Sequence, residues 1–200
     1  MRELARRRSN WRSEGDLDAF LRGTGLAGIA GIDTRRLTRH VRDQGAMPGA
    51  FGDANIADLR AAAEAEPGTA GVDLVSEVTT PEPYTSGHGP FRVVAYDLGI
   101  KRSIVLQLGE IATVEVVPAS TSADEVLARE PDGIFLSNGP GDPAMAGSVV
   151  EAITTFLGQV PVFGICLGHQ VLTLALGGQA YKMKFGHHGA NHPVQDLDSG

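Results

Sequence analysis

One cysteine, Cys166, occurs in 200 residues, and it stands inside the heptapeptide GICLGHQ, residues 164–170. A nucleophile-type residue with glycine two positions away on each side has the form of a nucleophile elbow, a sharp turn from strand to helix. Glycines belong at those flanks because so tight a turn crowds any neighbouring β-carbon. At a helix N-terminus, unpaired N–H groups and the helix dipole favour an anion, which lowers a thiol pKa toward the reactive thiolate. The N–H of Leu167, just past the cysteine, is then free to meet a developing oxyanion, a contact worth about 3–4 kcal/mol of barrier where such a donor has been removed. A second segment, NGPGDP at 138–143, offers bare backbone N–H groups at Gly139 and Gly141, with Asn138 and Asp142 able to brace the loop. A lone cysteine at an apolar strand end is ordinarily packing, and a Gly/Pro hexapeptide is ordinarily a turn. The two together point to thiolate attack on a carbonyl carbon, that is, acyl transfer.

The elements that must position these residues follow from hydrophobic periodicity. Apolar strands are expected at 91–97, 112–118, 132–137 and 160–165, separated by helical patterns around 100–110, 124–130, 147–158 and 167–176. Ser122 followed by Glu125 has the form of a capping box. Strands alternating with helices imply parallel βαβ units with right-handed crossovers, hence a three-layer α/β domain with a parallel-rich sheet. In such sheets ligands gather beyond the carboxyl ends of the strands, where both segments fall. Ahead of this domain lie helical patterns in DLDAFLRGTG, DTRRLTRHVRDQG and ADLRAAAEAE, the second capped by Asp33 or Thr34 and ended by Gly45. The stretch to Pro90 is dense in Pro, Gly, Ser and Thr. The expected division is therefore a smaller N-terminal α+β part over 1–75, a linker over 76–90 and the α/β domain over 91–200.

Composition narrows the function. No apolar run approaches the roughly 18 residues of a membrane span, and the Arg-rich start lacks the apolar region of a secretory signal. One cysteine makes no internal disulfide, so a cytoplasmic protein is expected. Net charge is −7, split between 11 Lys/Arg against 8 Asp/Glu in residues 1–60 and 6 against 16 in 61–200. The basic N-terminal part carries no aromatic interleaving, so nucleic acid is not an expected partner. His187, His188 and His192 invite a metal reading, but Gly186, Gly189 and Pro193 interrupt any helix that could present them, and no metal site is expected. No GxxxxGK[ST] loop is present, and no cofactor is expected in this chain. His169 lies three residues past Cys166; packing is favoured over a role as its base. His40 and His88 read as solvated, and Lys182 and Lys184 alternate around Met183 as in a strand.

GICLGHQ and LSNGPGDP, in this order on this strand–helix pattern, resemble the class I, triad-type glutamine amidotransferases. GIAGIDTRRLTRHVRDQGAMPGAF (28–51) and KMKFGHHGANHPV (182–194) resemble, within that family, the small chains of carbamoyl-phosphate synthetase. The resemblance implies that Cys166 forms a γ-glutamyl thioester, that the backbone of Leu167 and of Gly139 or Gly141 serves the oxyanion and glutamine, and that Gln170 helps hold the substrate. One turn after Cys166, Gln170 lies on the same helix face, which suits that role. It further implies a large synthetase chain as partner, which takes the released ammonia and uses ATP and bicarbonate to make carbamoyl phosphate for arginine and pyrimidine synthesis. The family's catalytic His and Glu lie in a GHPE-like segment, and no such segment occurs here. The chain thus reads as an internal piece lacking both ends, slow with glutamine by itself for want of an acid and base. Two rivals are a catalytically silent α/β assembly module with a structural cysteine, and another class I amidotransferase such as an anthranilate synthase component.

Overall fold

The computed structural model describes residues 1–184, 186 and 195–200, which form two compact units, Met1–Gly68 with Lys182–Gly200, and Thr69–Tyr181. The first unit carries α1 (Leu17–Thr24), α2 (Thr34–Gln44) and α3 (Ile56–Ala65). Asp33 caps α2 by accepting from the N–H of Arg36, and the N–H of Gly45 closes the helix on Val41. Asn55 caps α3 in the same way through Asp58. No residue of these three helices is buried. Residues 182–184 form no strand. Instead the carbonyl of Lys184 accepts from the N–H of Ala46, and its ammonium donates to the carbonyl of Asp43.

In the second unit, a helical turn α4 (Val75–Val78) and strand β1 (Tyr84–Ser86) precede β2 (Phe91–Asp97), α5 (Arg102–Leu108), β3 (Ala112–Pro118), α6 (Ala123–Leu127), β4 (Gly133–Leu136), a 3-10 turn (Pro143–Met145), α7 (Gly147–Phe156), β5 (Val162–Gly164) and α8 (Leu167–Ala175). The five strands lie in the order β1-β3-β2-β4-β5, with β2 to β5 parallel and β1 antiparallel to β3. Three layers result because side chains alternate across each strand. Tyr96, Ile134, Leu136 and Val117 face α6, α7 and α8, where they meet Val126, Val149, Ile153, Phe156 and Val171. Ala95, Val114, Val116 and Phe135 face α5 and its Val105. The expected capping box is formed, Ser122 accepting from the N–H of Glu125 and Glu125 accepting from the N–H of Ser122.

The compact units divide at Gly68 and Tyr181, not at residues 75 and 90. Residues 76–90, expected as a linker, are tied to the sheet at both ends of the stretch. Thr79 Oγ1 donates to the carbonyl of Asp97 at 2.7 Å, and Tyr84–Ser86 pairs with Val114–Val116. Val75 is buried in the core. Pro, Gly and Ser enrichment marks irregular backbone, which here is packed backbone.

From β2 the chain crosses to β3 on one side and later returns to β4 on the other side of β2. That reversal falls between β2 and β4, and it is beyond the carboxyl ends of strands at such a point that open α/β sheets bind ligands.

Candidate active site

Cys166 is the junction between β5 and α8 and has φ 55° and ψ −112°. Among the described residues only Glu130 shares a positive φ without being glycine. Such a conformation costs about 1–3 kcal/mol and persists only where the surroundings over-determine it. Those surroundings are visible. A β-carbon on Gly164 would lie 2.5 Å from the carbonyl carbon of Gly168, and one on Gly168 would lie 2.1 Å from the carbonyl oxygen of Leu136. Glycine at both positions is therefore a steric requirement, because backbone atoms on the other side cannot move away cheaply. The N–H of Ile165 donates to Leu136, and the N–H of Gly168 donates to the carbonyls of Ser137 and Ile165, each at 3.0 Å. The turn is clamped to the end of β4, and the Cys166 side chain is left exposed.

The glycine loop after β4 meets this turn. A β-carbon on Gly139 would stand 2.0 Å from the carbonyl oxygen of Leu98 and 2.8 Å from Cδ2 of Leu167. Gly139 thus lies between the loop after β2 and the first residue of α8. Leu167 is buried, and as the first residue of its helix it has no intrahelical acceptor for its N–H. The structure brings Cys166, Leu167 and Gly139 to one edge. Gly141, at φ 92°, has Leu74 and Val72 as its close neighbours instead. Gln170 is exposed on α8, its N–H donating to the carbonyl of Cys166. His169 is exposed as well, and its carbonyl accepts from Thr173. His40 and His88 are exposed, while His187, His188 and His192 lie outside the described residues.

The bracing of the loop is direct. Asn138 donates from Nδ2 to the carbonyl of Gly99 at 3.0 Å and accepts at Oδ1 from the N–H of Lys101 at 3.2 Å. Asp142 accepts from the N–H of Ala144 at 3.0 Å and from that of Gly71 at 3.3 Å. Two supports escaped the sequence reading. Asp97, 6% exposed at the end of β2, accepts from the N–H groups of Gly99, Ile100 and Thr80 at 2.8–2.9 Å. Ser137, fully buried at the end of β4, accepts at Oγ from the N–H of Leu98 at 2.9 Å. Their signal in the sequence was a polar residue closing an apolar strand at the carboxyl edge. A buried polar group costs free energy unless bonded, so such a residue is there to hold backbone.

Thus an exposed thiol, on a residue of strained backbone conformation, lies at the carboxyl edge of a parallel sheet beside the backbone of Leu167 and Gly139. Two shallow hollows around Leu21–Ala30 and Glu14–Phe20 lie in the first unit and carry neither cysteine nor histidine. No group of three or more His, Cys, Asp or Glu able to hold a metal is found among the described residues. Residues 94–199 match the family model of class-I glutamine amidotransferases, which is over half of the chain.

The chain belongs to the class I glutamine amidotransferase family.

Residues 1–51 match the carbamoyl-phosphate synthase small chain model, CPSase domain. Among curated relatives, proteins named carbamoyl phosphate synthase small chain are 48% identical over 231 residues in Polynucleobacter asymbioticus, covering 100% of this chain and 58% of that protein. In Pseudomonas aeruginosa the figure is 49% over 222 residues, covering 100% and 59%. In Syntrophotalea carbinolica it is 50% over 205 residues, covering 94% and 54%. The chain spans a little over half the length of these relatives. Within the amidotransferase family, then, the similarity runs through both units and favours the small chains over the anthranilate synthase alternative. No helix among the described residues is long and apolar enough to cross a membrane.

Proposed function

We propose that this chain is the glutamine-hydrolysing part of a carbamoyl-phosphate synthase, working in the cytoplasm with a large synthetase chain. The observation that carries the proposal is the exposed Cys166, held at positive φ beside the backbone of Leu167 and Gly139. The Cys166 thiolate attacks the side-chain carbonyl carbon of glutamine, and a C–S bond forms as the carbonyl oxygen takes up negative charge. The N–H groups of Leu167 and Gly139 stabilise that charge. Collapse breaks the C–N bond as the nitrogen takes a proton from solvent water and leaves as ammonia, and the resulting hydroxide or a second water then cleaves the thioester to give glutamate and the free thiol. Gln170, one turn along α8, contacts the bound glutamine. The small-chain similarity of residues 1–51 supports the large chain as recipient of the ammonia; ATP and bicarbonate are consumed there, and this chain holds no cofactor of its own. Capture of an electrophile that needs no acid or base depends on the thiolate and its backbone donors alone.

The test uses an α-chloroketone analogue of glutamine, in which CH2Cl replaces the amide NH2. The thiolate displaces chloride, forming a C–S bond and breaking C–Cl. Labelling of Cys166 is expected to saturate with reagent concentration, to be slowed by free glutamine, and to vanish in Cys166→Ala. Labelling that rises linearly with reagent and ignores glutamine identifies a catalytically silent module.

A further inference from the structure

Ser137 makes one more polar contact besides those to Leu98 and Gly168 and the bond from its N–H to the carbonyl of Tyr96. Its Oγ donates to the carbonyl oxygen of Asn138 at 2.8 Å. Asn138 and Gly139 share that peptide unit, and no peptide bond in the described residues is cis. In a planar trans peptide the C=O and the N–H point in opposite directions. A carbonyl turned inward to a fully buried hydroxyl therefore turns the Gly139 N–H outward, and among the described residues that N–H takes no hydrogen bond. Glycine at 139 has no β-carbon to oppose rotation of the peptide plane, so something else must set its direction.

We infer that Ser137 is a positioning residue that orients the Asn138–Gly139 peptide so that the Gly139 N–H faces the reacting carbonyl at Cys166. The inference rests on the glutaminase reading of Cys166 and adds a residue to it. One residue serves the three converging loops, two of them through its hydroxyl. It accepts from Leu98, whose own carbonyl is the surface Gly139 packs against, and it donates to Asn138. The carbonyl of the same residue accepts from Gly168 in the elbow. Without the hydroxyl, the Asn138 carbonyl loses its inward partner and the peptide is free to turn, while the thiol itself is untouched.

The experiment compares two reagents on the wild-type chain, Ser137→Ala and Ser137→Thr. Iodoacetamide alkylates a thiolate by direct displacement and makes no oxyanion. With the chloroketone analogue of glutamine the thiolate first adds to the ketone carbon, whose oxygen becomes an oxyanion; the sulfur then shifts to the adjacent CH2 carbon as chloride leaves and the C=O re-forms, so that the net change is a C–S bond formed and the C–Cl bond broken. For Ser137→Ala the maximal chloroketone rate is expected to fall about 10-fold or more, within the range lost on removing an oxyanion donor. Half-saturation should stay within about twofold, and the iodoacetamide rate should be unchanged. Ser137→Thr, which keeps the hydroxyl, should restore the chloroketone rate. Equal loss with both reagents would mean a merely structural role, and no loss with either would mean the peptide is set by other contacts; both overturn the inference. If the wild-type chain itself shows no saturation by the chloroketone, the glutaminase reading fails first and takes the inference with it.

Discussion

Cys166 has a backbone conformation that an L-residue adopts at a cost, and the two flanking glycines are what allow it. This gives a test of stored strain. In most positions alanine is more stable than glycine, because glycine loses more freedom on folding. At 166 the order should reverse. Cys166→Gly is expected to unfold at higher urea concentration than Cys166→Ala, by about 1 kcal/mol, since only glycine is at ease at this φ and ψ. Alanine as the more stable variant would show that the elbow is relaxed, and would remove the reason for its exposed thiol to be held where it is. At this scale the sequence offered Cys166, Leu167, Gly139 and Gly141 as candidates. Spacing alone could not separate the two loop glycines. Packing did: Gly139 sits against Leu98 and Leu167, while Gly141 sits against Val72 and Leu74.

Among the elements, strands and helices of the second unit follow the period of their apolar residues closely. β3 was expected at 112–118 and is found at Ala112–Pro118, because Ala112, Val114 and Val116 alternate with Thr113 and Glu115 between bounding turns. β1 was not expected. Three residues among prolines and glycines carry no readable period, and Tyr84–Ser86 is a strand only because the edge of β3 is there to pair with. Capping chemistry was fully legible at α6, and it yields a pH prediction. Hydrogen bonds from the Ser122 hydroxyl and N–H hold the Glu125 carboxyl below the usual carboxylate range. A carboxylate depressed in the folded state contributes stability that is present above its unfolded pKa and lost as pH falls through its folded one. Protonated glutamate resembles glutamine, so thermal midpoints of wild type and Glu125→Gln should differ near neutral pH and converge in acid. A difference that persists unchanged below pH 3 would remove the ionised carboxylate from the cap.

For the molecule as a whole, burial is concentrated in one unit. α1, α2 and α3 bury no residue, whereas Tyr96, Phe156, Leu136 and Val114 in the second unit are fully enclosed. Local opening is easiest where few apolar contacts oppose it. Backbone amides of the three N-terminal helices are therefore expected to exchange with deuterium orders of magnitude faster than those of β2, β3 and β4. Comparable protection in α2 and β2 would show that the first unit owes its stability to more than its own packing. The same contrast bears on function, because an acyl-transfer site needs donors fixed before the reaction begins. The unit with the buried core is the one that carries Cys166.

The sequence by itself determined the candidate thiol and its approximate address. A unique thiol between spaced glycines, at the carboxyl edge of a βα repeat, is a local pattern, and local patterns depend on backbone sterics that a few adjacent residues set. What only the tertiary structure decided is how three loops far apart in the chain are joined: Asp97 closing the turn after β2, Ser137 bonding Leu98, Asn138 and Gly168, and the division of the chain near Gly68. Those contacts arise when strand order places β4 between β2 and β5, and strand order is a property of the assembled sheet that hydrophobic periodicity does not encode.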